Sequence, residues 1–173
     1  MRRIPFPRWL SLGLCLGLAL SVSWCAQGEK ALTPAPDFSL QTLDGREVIL
    51  SKTRGKAVLL DFWATWCGPC RESIPHLVQL YKTYHAQGFE IIGLSLDKGD
   101  KDVVHHFVQS MDIPYPIVMA PDSVLRDYGV HGIPTTILID REGKIRERIV
   151  GFNTAIAQKM ASSVAALTTE KTP

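Results

Sequence analysis

The pair Cys67 and Cys70, separated by Gly68 and Pro69, constrains this chain more than any other feature. It follows the apolar run Ala57 to Trp63 and precedes a stretch in which Ile74, Leu77, Val78, Tyr81 and Tyr84 recur at helical spacing. A Cys-x-x-Cys at a strand-to-helix junction is either a redox pair or half of a metal site. No second Cys-x-x-Cys or Cys/His pair follows at zinc-finger spacing, so a zinc reading needs a partner chain or His76 to complete the ligand set. The redox reading needs nothing more. At a helix N-terminus the unpaired N–H groups and the dipole favour negative charge, which makes Cys67 a thiolate and the attacking sulfur. Cys70, one turn in, resolves the mixed disulfide by attacking Cys67. Pro69 falls in the first turn, where its missing N–H has no helical partner to lose.

The other two cysteines, Cys15 and Cys25, belong to a different kind of segment. Arg2, Arg3 and Arg8 flank the run Trp9 to Trp24, which is apolar apart from Ser11, Ser21 and Ser23. Residues 1–25 therefore read as a signal peptide or membrane anchor, and the protein is expected outside the cytoplasm, in a periplasm or on the outer face of a membrane. Ser21-Val22-Ser23 suits cleavage, and Cys25 is an alternative site for lipidation, although the bulky Trp24 precedes it. The formal charge of +2 owes three units to those arginines; the remainder carries 16 basic against 17 acidic residues. Nothing in such a near-neutral balance argues for a nucleic-acid partner, and none is expected. Two cysteines are also too few to act as the disulfide framework of the rest of the chain.

Residues 26–36, with Gly28, Pro34 and Pro36, read as a linker, residues 37–168 as one domain and residues 169–173 as a tail. Phe38 and Leu40, the turn Asp44-Gly45, then Val48 and Leu50 form a β-hairpin pattern. Ala57 to Trp63 reads as a buried central strand, and the helix after Cys67 runs to Gly88 with a kink at Pro75. Phe89 to Leu96 is a second strand. Residues 101–111 form an amphipathic helix, 117–119 a short strand and 122–128 a short helix. A strand through Ile139, a turn at Arg141-Glu142-Gly143, a partner strand 144–150 and a helix 154–167 complete an α/β sandwich with a central mixed sheet flanked by helices.

Two further residues carry chemistry. Asp61 interrupts the apolar run, so its carboxyl is expected to be buried and to titrate near neutrality. Six residues before Cys67, it is placed to take the Cys70 proton. Pro134 opens a strand after Gly132-Ile133, a setting for a tight turn and a cis peptide.

The decapeptide Asp61-Phe62-Trp63-Ala64-Thr65-Trp66-Cys67-Gly68-Pro69-Cys70 resembles the thioredoxin active site. The segments Ala35-Pro36-Asp37-Phe38, Leu43-Asp44-Gly45, Gly55-Lys56, Ile133-Pro134-Thr135-Thr136 and Ile139 to Ile145 resemble the extracytoplasmic TlpA/ResA-like branch of that superfamily, over about residues 34–165. The resemblance implies a thioredoxin-like fold with an N-terminal hairpin and a strand-helix insertion between Cys70 and Pro134. It implies a cis-proline at Pro134 facing the Cys67–Cys70 disulfide, Ile133 offering its backbone to an extended client, and Trp66 bordering the reactive sulfur. Gly68 and Pro69 support the pair and favour the reducing end of the potential scale. Activity is then dithiol–disulfide exchange with no cofactor beyond the redox-active disulfide. The implied partners are disulfide-containing exported proteins, apocytochrome c among them, and a membrane electron donor; the chain is expected to act as a monomer.

One position departs from the branch, which often carries glutamate three residues after the second cysteine. Here that residue is Ser73, with Glu72 one place earlier, and this weakens any carry-over of acid-dependent client choice. His105 and His106 are adjacent on a helix and so face different ways, which suits solvation rather than metal binding. His131 is expected at the surface and Trp63 in the core. Two other classes compete. A peroxiredoxin shares the opening Ala35 to Phe38, but Leu60 and Ala64 stand where its Pro and Thr belong. A copper(I) chaperone would use the two thiolates as soft ligands, without a Met/His cluster beside them.

Overall fold

The computed structural model describes residues 32–170. The signal or anchor reading of residues 1–25, most of the linker and the end of the tail lie outside the described residues.

Asp44-Gly45 turns the chain between β1 (Ser39–Gln41) and β2 (Glu47–Ile49), which pair antiparallel. Gly45 supplies the positive φ of 84° that the turn requires. The hairpin lies along an edge of the main sheet, where the Leu43 N–H donates to the Ile117 carbonyl at 2.9 Å. The main sheet is built on β3 (Ala57–Trp63), buried along all its length. Helix α1 (Gly68–Tyr84) crosses over to β4 (Phe89–Ser95), which lies parallel to β3, as a parallel neighbour demands. Then come α2 (Lys101–Ser110), β5 (Ile117–Met119) and α3 (Asp122–Asp127), followed by β6 (Thr135–Ile139), β7 (Ile145–Val150) and α4 (Thr154–Thr169). The sheet order is β5-β4-β3-β6-β7, with β6 and β7 antiparallel to their neighbours. This is the mixed α/β sheet with N-terminal hairpin and inserted elements that the sequence led us to expect.

The two-residue period of β3 divides the core. Leu59 and Trp63 join the cluster under α1, α2 and α4, whereas Val58, Leu60 and Phe62 join the cluster with Phe38, Val124 and Tyr128. Helix α1 runs unbroken through Pro75, which sits on its exposed side.

Residues 33–36, read from sequence as the end of a linker, are pinned to the domain. Ala35 N–H donates to the Gly143 carbonyl at 2.9 Å, Ile145 N–H to the Thr33 carbonyl at 2.8 Å, and the Tyr128 hydroxyl to the Pro36 carbonyl at 2.6 Å. Nearby, the Arg141 guanidinium donates to the carbonyls of Gly55, Gln87 and Thr168 at 3.1, 3.2 and 2.7 Å. One side chain thus ties together the entry to β3, the entry to β4 and the end of α4.

Candidate active site

Cys67 caps the N-terminus of α1, and Pro69 lies in its first turn. The two cysteines are joined as a disulfide, with Cα atoms 5.3 Å apart. Cys67 is 6% exposed and Cys70 is fully buried, so only the first sulfur is within reach of another molecule. The Cys70 N–H points at the Cys67 sulfur, 3.3 Å away, and is one of the otherwise unpaired donors of the helix start. Ser73 is buried and donates to the Cys70 carbonyl at 2.8 Å, while Glu72 faces solvent.

Trp66 stands beside Cys67 with 69% of its surface exposed. The loop carrying it is held from β4: Asp97 accepts the Thr65 N–H at 2.9 Å and the Thr65 hydroxyl at 2.6 Å, and also takes the Ser95 hydroxyl at 2.8 Å. Sequence reasoning missed Asp97, because 32 positions separate it from Thr65 and no local pattern joins them. It also missed the flank built by α2. There the Arg71 guanidinium lies 5.5 Å from the centre of the Phe107 ring, which in turn packs on Trp63 at 5.3 Å. The Ile133–Pro134 peptide is cis, and the Pro134 carbonyl accepts the Gly151 N–H at 2.8 Å. Ile133 is half-buried and His131 exposed. His76 is exposed with its ring 5.2 Å from that of Phe152, and His105 and His106 are both exposed. Among the described residues no group of three or more His, Cys, Asp or Glu side chains is placed to hold a metal ion.

Asp61 is 1% exposed, and neither carboxylate oxygen has a hydrogen-bond partner. Its place in β3, in phase with Leu59 and Trp63, directs it to the face that α1 covers with Cys70. Burial alone pushes its pKa from 3.8 up to about 7. Tyr115, buried on the same side, is held well above the ordinary phenol range by burial and then by the Asp61 charge. Gly93 pairs with Asp61 in the parallel ladder and brings no side chain to this space. A Cβ there would drive into the Ile117 side chain and lie 3.2 Å from Trp63 Nε1. Gly93→Val is therefore expected to destabilise the fold by about 1–3 kcal/mol, read as a lower denaturant midpoint at unchanged slope.

The sequence model of the AhpC/TSA family matches residues 32–148. The chain is 44% identical to the thiol-disulfide oxidoreductase ResA of Geobacillus thermodenitrificans, over 69% of each protein. It is 39% identical to ResA of Bacillus subtilis, over 69% of this chain and 67% of that one. A crystal structure described as a putative thiol:disulfide interchange protein DsbE from Chlorobium tepidum superposes with a TM-score of 0.74 at 37% identity, over 79% of this chain and 96% of that one.

Proposed function

The chain belongs to the AhpC/TSA family and, within it, to the ResA-like thiol-disulfide oxidoreductases, and from that premise we propose that it is an extracytoplasmic reductase of protein disulfides. The observation that carries this reading is the asymmetry of the Cys67–Cys70 pair at the N-terminus of α1, one sulfur reachable and the other sealed.

In the dithiol form, the helix terminus stabilises the Cys67 thiolate. That sulfur attacks a client disulfide, forming a mixed disulfide and expelling one client thiolate. Cys70 gives its proton to Asp61 and attacks the Cys67 sulfur, which releases the second client thiolate and forms the Cys67–Cys70 bond. Two electrons pass to the client, and a dithiol donor must return them. On this reading Trp66, Ile133 and Pro134 form the border of the sulfur and take the client chain in extended form, its backbone meeting that of Ile133. The apolar run before residue 25 supports delivery across a membrane, and the donor is then a membrane thiol carrier. Apocytochrome c, whose paired cysteines must be reduced before haem attachment, is a client of fitting chemistry.

The direction of exchange rests on the reduction potential of the pair, measured by equilibrating the purified protein with dithiothreitol and glutathione buffers. A value near about −270 mV is expected for a reductase, and one near about −120 mV would overturn the reading in favour of an oxidant. The family match also keeps a peroxidase in view, with Leu60 and Ala64 against it. Peroxide consumption at Cys67 that matches disulfide turnover would transfer the assignment to that class.

A further inference from the structure

Thr136 lies directly opposite Asp61 in the antiparallel ladder between β3 and β6. Directly paired residues project to the same face, with Cβ atoms about 4.5–5.5 Å apart. That face is the one under α1, since the neighbouring pair Leu59 and Leu138 both lie in its core cluster. Thr136 is 4% exposed, and its hydroxyl is engaged in none of the side-chain hydrogen bonds among the described residues, so it is free to turn. A carboxylate without a donor and a rotatable hydroxyl without a partner thus face each other across one rung of the sheet. A buried carboxylate is seldom left without a donor, and it needs one most when it gains its charge.

We propose that Thr136 is a positioning residue for Asp61: its hydroxyl turns to donate a hydrogen bond to the ionised carboxylate and lets it go when the carboxyl takes up a proton. The inference rests on the reading of Asp61 as acceptor of the Cys70 proton. Bond-making is balanced, because the proton leaving the Cys70 sulfur becomes the carboxyl proton and the threonine O–H bond stays intact throughout. The other groups around Asp61 set the background. From α1 come the sulfurs of Cys67 and Cys70, from the loop before β5 the Tyr115 phenol, and from β3 the Trp63 indole N–H, itself unpartnered. At the paired position β4 contributes only Gly93. None of these is a cation, so on this face the Asp61 charge is met by dipoles alone, and a single hydroxyl carries weight.

The test is the titration of the Asp61 carboxyl carbon by NMR in the full oxidised chain, for wild type, Thr136→Val and Thr136→Ser. Valine keeps the shape and loses the donor; its midpoint is expected about one pH unit higher, because the donor favours the charged form. Serine keeps the hydroxyl and is expected to match wild type. Coincidence of valine with wild type overturns the proposal, and so does a serine shift as large as that of valine, which would assign the effect to packing. A second measurement needs no variant: the χ1 couplings of Thr136 in wild type should change with the Asp61 midpoint, and a rotamer constant across that titration also overturns the proposal. The rate at which Cys70 resolves the mixed disulfide in Asp61→Asn tests the underlying reading separately, since these NMR outcomes are read in the oxidised chain and do not depend on that rate.

Discussion

Cys67→Ser is expected to lose dithiol–disulfide exchange by at least about a thousandfold, because hydroxyl oxygen cannot form the mixed disulfide on which the sequence of steps depends. Cys70→Ser should behave differently. Its Cys67 still attacks but cannot be displaced, so the protein accumulates on its client as a covalent adduct that dithiothreitol releases. The structure predicts this order because the Cys70 sulfur is sealed beneath the helix start while Cys67 reaches the surface. The measurement is insulin or peptide-disulfide reduction, with non-reducing electrophoresis to detect adducts. Trapping by Cys67→Ser through Cys70 would reverse the assignment of the two sulfurs.

Asp61→Asn carries the second large effect, on two readouts. The carboxyl titrates at about 7 in the fold and near 3.8 when exposed. Below pH 4 it is neutral in both states and its ionisation costs the fold nothing. Between pH 4 and 7 the unfolded chain ionises while the fold holds its proton, so stability falls with rising pH and levels off above 7. The difference corresponds to roughly 4 kcal/mol. Asparagine escapes this penalty but buries an amide of its own, so Asp61→Asn is expected to be more stable than wild type by about 2 kcal/mol at pH 8, to cross it between about pH 5 and 6, and to be less stable by about 2 kcal/mol at pH 4. Activity moves the other way. Without the acceptor, resolution by Cys70 should slow by about a hundredfold at pH 7 and recover in part as alkali ionises the thiol directly. Stability curves that run parallel from pH 4 to 8, or an unchanged resolution rate, would remove Asp61 from the exchange step.

Much of this was legible in local patterns. The apolar run of β3, the turn at Asp44-Gly45 and the helical spacing after Cys70 each fix an element within a few residues. The Cys-x-x-Cys placed the reacting sulfurs, and a lone acid inside an apolar strand marked Asp61 as buried. Features that escaped the reading depend on pairing across long stretches of chain. Nothing near Gly93 announces that it stands beside Asp61 and leaves room for Ile117. Thr136 opposite Asp61 is a fact of register, fixed only when β6 adds antiparallel to β3. Asp97 reads as a turn residue until β4 brings it to Thr65. The segment before Asp37 was read as free for a related reason. Its prolines suggest a spacer, and its hydrogen bonds come from residues more than ninety positions away.

That docked segment and the Arg141 tie lie at the opposite end of β3 from Cys67. The seven residues of β3 span roughly 20 Å, so the docked segment and the site of disulfide exchange are separated by the length of the central strand. A pull on the chain at Thr33 would thus be taken up about one strand's length away from the reacting sulfurs.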